Sequence, residues 1–142
     1  MEKSFVPAPF NPGLDVVIFS SNWDFIDHHR EVLLSIGFGP IAATTPEATL
    51  AVLRLTAIEL VIVDERVGVP ETRRILKQTG NDSPKVPVLV VSSSFNAELR
   101  RQALELGAAG YLDHPALQDD VVLALLPDRA LTGNSLWGSL QN

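Results

Sequence analysis

The chain has no cysteine among its 142 residues. That excludes a disulfide framework, a thiolate metal site and a thiol nucleophile together. Aromatic residues are scarce at 6%, with a single tyrosine, and charged residues reach only 20%. No apolar run approaches the length of about twenty residues that a membrane-spanning helix requires. The opening MEKSFVPAPFNPG holds no continuous apolar stretch of signal-peptide length. The expected setting is therefore soluble and cytoplasmic. A formal net charge of −6 repels phosphate backbones and anionic membranes, which argues against nucleic-acid and membrane partners and leaves room only for a local basic patch such as Arg73, Arg74 and Lys77. GxSxG, P-loop and GxGxxG motifs are missing, and His28, His29 and His114 have no obvious nucleophile partner in the sequence.

What is abundant is hydrophobic residues, 46% of the chain, enough for one globular domain with a sizeable core. They fall into short dense runs, LDVVIF (14–19), PIAAT (40–44), ELVIVD (59–64), VPVLVV (86–91) and AGYLD (109–113), which read as buried strands. Between the runs lie helical periodicities over about 23–36, 46–56, 70–79, 95–107 and 116–126. Thr45 before Pro46 reads as an N-cap with proline at the first helical position, and Gly37, Gly80 and Gly107 read as helix stops. Such strict strand–helix alternation predicts an α/β fold, a doubly wound five-stranded parallel sheet with helices on both faces. The domain spans 14–127, between an N-terminal tail, 1–13, and a C-terminal tail, 128–142. In the second tail, Leu131, Leu136, Trp137 and Leu140 read either as a docking motif or as isolated apolar residues of a peripheral terminus.

The fold gives chemistry an address. In open parallel sheets the functional crevice lies outside the carboxyl ends of the strands, where strand order reverses. Asp64 closes the third apolar run at such an end, and the other ends supply Ser20, Ser21, Ser92, Ser93, Asp113 and His114.

On these residues the chain, from about 14 to 126, resembles a receiver domain of bacterial two-component response regulators, which has a flavodoxin-like fold. ELVIVD resembles the third strand that ends in the phosphoaccepting aspartate, VPVLVVSS the fourth strand with its terminal hydroxyl residue, and ALELGAAGYLDHP the passage into the Lys-Pro turn. The resemblance implies Asp64 as phosphoacceptor, Ser92 as the hydroxyl that follows the phosphoryl group and Tyr111 as the switch aromatic. It implies partners such as a histidine kinase or phosphotransfer protein, a homodimer through the face of the fourth helix, fifth strand and fifth helix, and no enzymatic activity of its own. Because the chain ends shortly after its last helix, output is expected to run through another protein or a second copy.

Three departures qualify this. Ser20 and Ser21 stand where the family has the acidic pair that holds Mg²⁺, His114 stands at the lysine position, and DERVGVPET places Gly68 before Pro70. A hard divalent ion prefers carboxylates, so Mg²⁺ is expected to bind weakly at most and no cofactor is implied. Phosphorylation at Asp64 is expected to be weak or replaced by partner binding. Plainer roles stay open for each residue. Ser21 with Asp24 fits a capping box, and Asp64 could accept backbone N–H groups or pair with Arg66 or His114. Ser92 could be a strand-end cap and Tyr111 core filler. Asp24 and His28 fit a solvated face, and Asp119 and Asp120 suit a helix start. Two other classes remain, a flavodoxin-like domain cradling a phosphate at SSNW and an inert protein-interaction adaptor.

Overall fold

The computed structural model describes residues 14–81, 85–94 and 96–126. The predicted tails, with Leu131, Leu136, Trp137 and Leu140, lie outside the described residues. The elements run β1 Asp15–Phe19, α1 Trp23–Ser35, β2 Gly39–Ala43, α2 Pro46–Leu55, β3 Leu60–Asp64, a 3₁₀ turn Glu65–Val67, α3 Val69–Asn81, β4 Val88–Val91, α4 Ala97–Glu105, β5 Gly110–Leu112 and α5 Gln118–Leu125. All pairings are parallel, and the strand order is β2-β1-β3-β4-β5. The fold expected from the alternation is the fold observed.

The strands are nearly continuous Val, Ile and Leu because helices cover both faces. Alternation splits the core in two. Val16, Ile18, Leu60, Ile62, Leu89 and Leu112 pack with Phe25, Ile26 and Leu33 of α1 and Val121 of α5. Val17, Phe19, Val61, Val63, Val90 and Tyr111 pack with Ile75 and Leu76 of α3 and Ala103 of α4. Each fully buried aliphatic side chain contributes roughly 1.5–3 kcal/mol, so the two faces hold the sheet from both sides.

Local signals set the helix ends. Thr45 caps α2, its Oγ1 accepting from the Ala48 N–H at 3.0 Å, as the sequence predicts. Gly37 lies at φ 87°, beyond the end of α1, where Phe38 N–H reaches back to Leu33 O. Two expectations are corrected. Gly80 does not end α3, which runs on to Asn81; it has no positive φ and stays helical. Ser21 does not cap α1. Asn22 does, its side chain accepting from the Phe25 N–H at 2.9 Å, because β1 stops at Phe19 and leaves Ser21 exposed on the turn.

Candidate functional site

Register brings the strand ends together. Phe19 pairs with Val63, Asp64 with Val91 and Val91 with Leu112. Ser20 therefore stands beside Asp64, and Ser92 is tied to β5 through its N–H to Leu112 O at 2.7 Å. Since β1 and β3 are the adjacent strands from which the chain runs outward in opposite directions, Ser20 and Asp64 flank the reversal point.

Asp64 is 2% exposed, and four donors meet its carboxylate. Oδ2 accepts from Ser20 Oγ at 2.7 Å and from Arg66 Nη2 at 3.0 Å. Oδ1 accepts from the Arg66 backbone N–H and from Arg66 Nε, both at 3.0 Å. The guanidinium thus grips both oxygens as a fork, the strong charge-assisted form of the pair. Its bond to Asp64 raises the Arg66 pKa above the ordinary arginine value. Of the pairings left open by the sequence, Asp64 makes the one with Arg66 and with a backbone N–H; His114 does something else. Its Nδ1–H donates to Pro115 O at 2.8 Å and lies 3.9 Å from Asp120 Oδ2.

The expected hydroxyls divide. Ser20 is fully buried, and its Oγ also accepts the Asn22 N–H at 2.9 Å. Ser21 is exposed to solvent. Ser92 is buried and caps its own turn, its hydroxyl donating to Ser94 O and accepting from Ser94 N–H at 3.1 Å. Asp64, Arg66, Ser92 and His114, together with Phe25 and Asp113, line an open cleft of about 280 Å³.

Ser20 spends its proton on Asp64, both Asp64 oxygens already accept two bonds each, and among the described residues no three acidic or imidazole side chains converge on one point. The charge of Asp64 is met by Arg66.

Two residues to which the sequence analysis gave no role belong to this region. Glu65 accepts the Tyr111 hydroxyl at 3.1 and 3.2 Å. Tyr111 is 2% exposed; burial, then the Glu65 charge, pushes its pKa up, while Ser92 opposes the shift. The strand's alternation explains the division. Asp64 continues the α1 face and Glu65 turns to the α3–α4 face, where a narrow apolar cleft includes Glu65 and Tyr111 in its wall. His29, the second, is buried in α1; its Nδ1–H donates to Phe25 O at 2.7 Å, and its Nε2 accepts the Ala116 N–H at 3.0 Å.

No protein-family model matches this chain, and no curated protein matches it by sequence. Solved structures do match. A response regulator from Burkholderia pseudomallei, with a phosphorylated aspartate, superposes with a TM-score of 0.72 at 20% identity, over 90% of this chain and 74% of that one. A response regulator from Thermotoga maritima gives 0.67 at 23% identity, over 76% of this chain and 90% of that one. A receiver domain protein from Clostridium thermocellum gives 0.64 at 19%, over 87% and 98%. With five parallel strands in the same open sheet and helices on both faces, this chain has the fold of a response-regulator receiver domain.

Proposed function

We propose that the chain is an atypical receiver module of two-component signalling, a non-enzymatic protein that works through protein contacts, with phosphorylation at Asp64 weak or replaced by partner binding. Its upstream partner is a histidine kinase or phosphotransfer protein, and its output face is formed by α4, β5 and α5, where a second copy of the chain is the simplest occupant. The observation that carries this reading is the convergence of Asp64 and Ser92 on one cleft with Tyr111 behind them, while Arg66 holds the carboxylate that a metal and phosphoryl group would need. In-line phosphoryl transfer relies on a divalent ion to bridge and neutralise the phosphoryl oxygens. If the missing stabilisation amounts to about 3 kcal/mol, transfer slows by roughly a hundredfold.

The phosphate-cradle alternative fares worse on one specific point. The first turn of α1 offers its Phe25 N–H to Asn22 rather than to a ligand. Flavin absorbance in purified protein would favour the cradle, and its absence would remove that option.

The test is incubation with acetyl phosphate and Mg²⁺ followed by intact-mass measurement. A small, slow gain of one phosphoryl mass in the wild type, absent in Asp64→Asn, is the expected result. Rapid stoichiometric labelling would show a fully working acceptor and overturn the atypical part of the reading. Labelling that persists in Asp64→Asn would remove Asp64 from its role.

A further inference from the structure

The Asp64–Glu65–Arg66 stretch makes two unrelated-looking contacts with consecutive side chains. Arg66 closes on Asp64 with its fork and its backbone N–H. Glu65 takes the hydroxyl of Tyr111, 46 residues away. Both side chains depend on the same 3₁₀ turn, Glu65–Val67, whose N-cap is the Asp64 carboxylate itself.

We propose that this turn is a two-sided latch: Arg66 acts as a tethered counter-ion to Asp64, Glu65 pins Tyr111 in its buried position, and loosening either contact loosens the other. The inference deepens the receiver reading and rests on it, since it concerns how the acceptor position and the switch aromatic are coupled in this chain.

The physical argument is one of geometry. Arg66 is half exposed along its side chain while Asp64 is 3% exposed, so the fork is the part of the assembly that solvent or a partner can reach. Removing the guanidinium leaves Asp64 buried with Ser20 and a backbone N–H as its donors, and an under-neutralised carboxylate moves toward water. Asp64 cannot move without releasing the cap of the turn, and Glu65 is the turn's first residue. Tyr111 would then lose an acceptor that also carries a charge. Coupling of this kind needs no bound metal and no phosphoryl group; it requires only that one short turn serve two sites.

The chain's single tyrosine makes the test direct. Unphosphorylated protein carrying ¹³C-labelled tyrosine gives one ring signal set, and its relaxation by a dissolved paramagnetic probe reports the exposed population of Tyr111. Glu65→Ala is expected to raise that population at least ~tenfold, a ratio equivalent to ~1.4 kcal/mol. Glu65→Gln keeps an oxygen acceptor and should fall between wild type and Glu65→Ala. The decisive variant is Arg66→Gln, at a side chain whose fork grips Asp64, and it should still raise exposure at least ~twofold, as contacts sharing one network do. Arg66→Lys, a cation without the fork, should lie between. Arg74→Gln, on the exposed face of α3, serves as control and should leave the ring signal in place.

A folded Arg66→Gln whose tyrosine signal matches the wild type overturns the latch, as does a Glu65→Ala or, if that variant does not fold, a Glu65→Gln with unchanged exposure. Because phosphorylation is not part of the measurement, failure here leaves the acetyl phosphate result standing, and failure there leaves this one standing.

Discussion

His29 is a residue whose chemistry is strongly altered by its surroundings. It sits on the buried stripe of α1 with Phe25, Ile26, Val32 and Leu33, and its two ring nitrogens join α1 to the segment after β5 by donating to Phe25 O and accepting from Ala116 N–H. That pattern requires the neutral ring with its proton on Nδ1. Burial is the main cause of a pKa lowered to about 4; the Phe25 carbonyl pulls it up, His28 pushes it down and Asp64 pulls it up. Unfolding releases the ring to its reference value of 6.5, so the unfolded chain binds the proton more readily. The stability that His29 contributes is thus fully present above about pH 6.5 and is lost as pH falls from there through about 4. Between pH 7 and pH 5 the loss from this group comes to about 2 kcal/mol. Urea unfolding of wild type and His29→Gln at both pH values checks it, since glutamine can keep a donor and an acceptor without titrating. Equal pH sensitivity in the two proteins would remove His29 as the cause.

At the scale of elements, α1 and α3 show what a glycine signal means and what it does not. Gly37 follows the end of α1 at φ 87°, and a Cβ there meets nothing within 4 Å, so its cost is backbone strain alone. Gly80 also has open space, but it lies within α3 with no positive φ. Gly37→Ala should therefore destabilise by about 1 kcal/mol and Gly80→Ala should stabilise by about 0.5 kcal/mol. Opposite shifts in denaturation midpoint are the expected outcome; shifts of the same sign would contradict the assignment. From sequence the two glycines looked alike, because both follow an apolar periodicity and φ leaves no mark in composition. The strands and helices themselves were readable to within two or so residues, since buried strands cannot hide their Val and Ile. The turn after β1 was harder. Ser20, Ser21 and Asn22 are all good capping residues, and only the end of pairing at Phe19 decides that Asn22 caps and Ser20 turns inward to Asp64. Arg66 was legible as a neighbour of Asp64 two positions on. Glu65 with Tyr111 was not, because that contact exists only after β3, β4 and β5 have aligned in register. His29 did carry a signal, its place on the apolar stripe of α1, which its polarity obscured.

Across the whole molecule, the sheet separates two packed faces, and the carboxyl edge is where they meet. His29 fastens α1 to the entrance of α5 on one face, Tyr111 fastens the 64–66 stretch on the other, and Asp64 stands between them, held by Arg66. A ligand that binds only the folded state stabilises it by mass action, by about 2.7 kcal/mol at a concentration one hundred times its Kd. For a domain of this size that is a rise in Tm of roughly 10 °C. A metal site with a Kd of ~0.1 mM would therefore be conspicuous at ~10 mM Mg²⁺, where linkage predicts that full effect. With both Asp64 oxygens occupied by internal donors, the wild-type Tm should move by less than ~1 °C between EDTA and Mg²⁺, well short of the linkage value. Ionic strength must be matched with KCl, because a chain of net charge −6 gains a little stability from screening alone. Replacing Ser20 and Ser21 together by Asp changes the balance. Two carboxylates ~5 Å apart at an effective dielectric near ~20 repel by roughly 3 kcal/mol, and Ser20 already touches Asp64, so the metal-free double variant should melt lower than the wild type. Mg²⁺ should then recover several degrees that it cannot add to the wild type, since the new acids supply the oxygen charge a hard cation needs. A wild-type protein that gains the full ~10 °C in Mg²⁺ would show that Arg66 is not what stands in the cation's place, and a folded double variant indifferent to Mg²⁺ would count against Ser20 and Ser21 as the counterparts of the family's acidic pair.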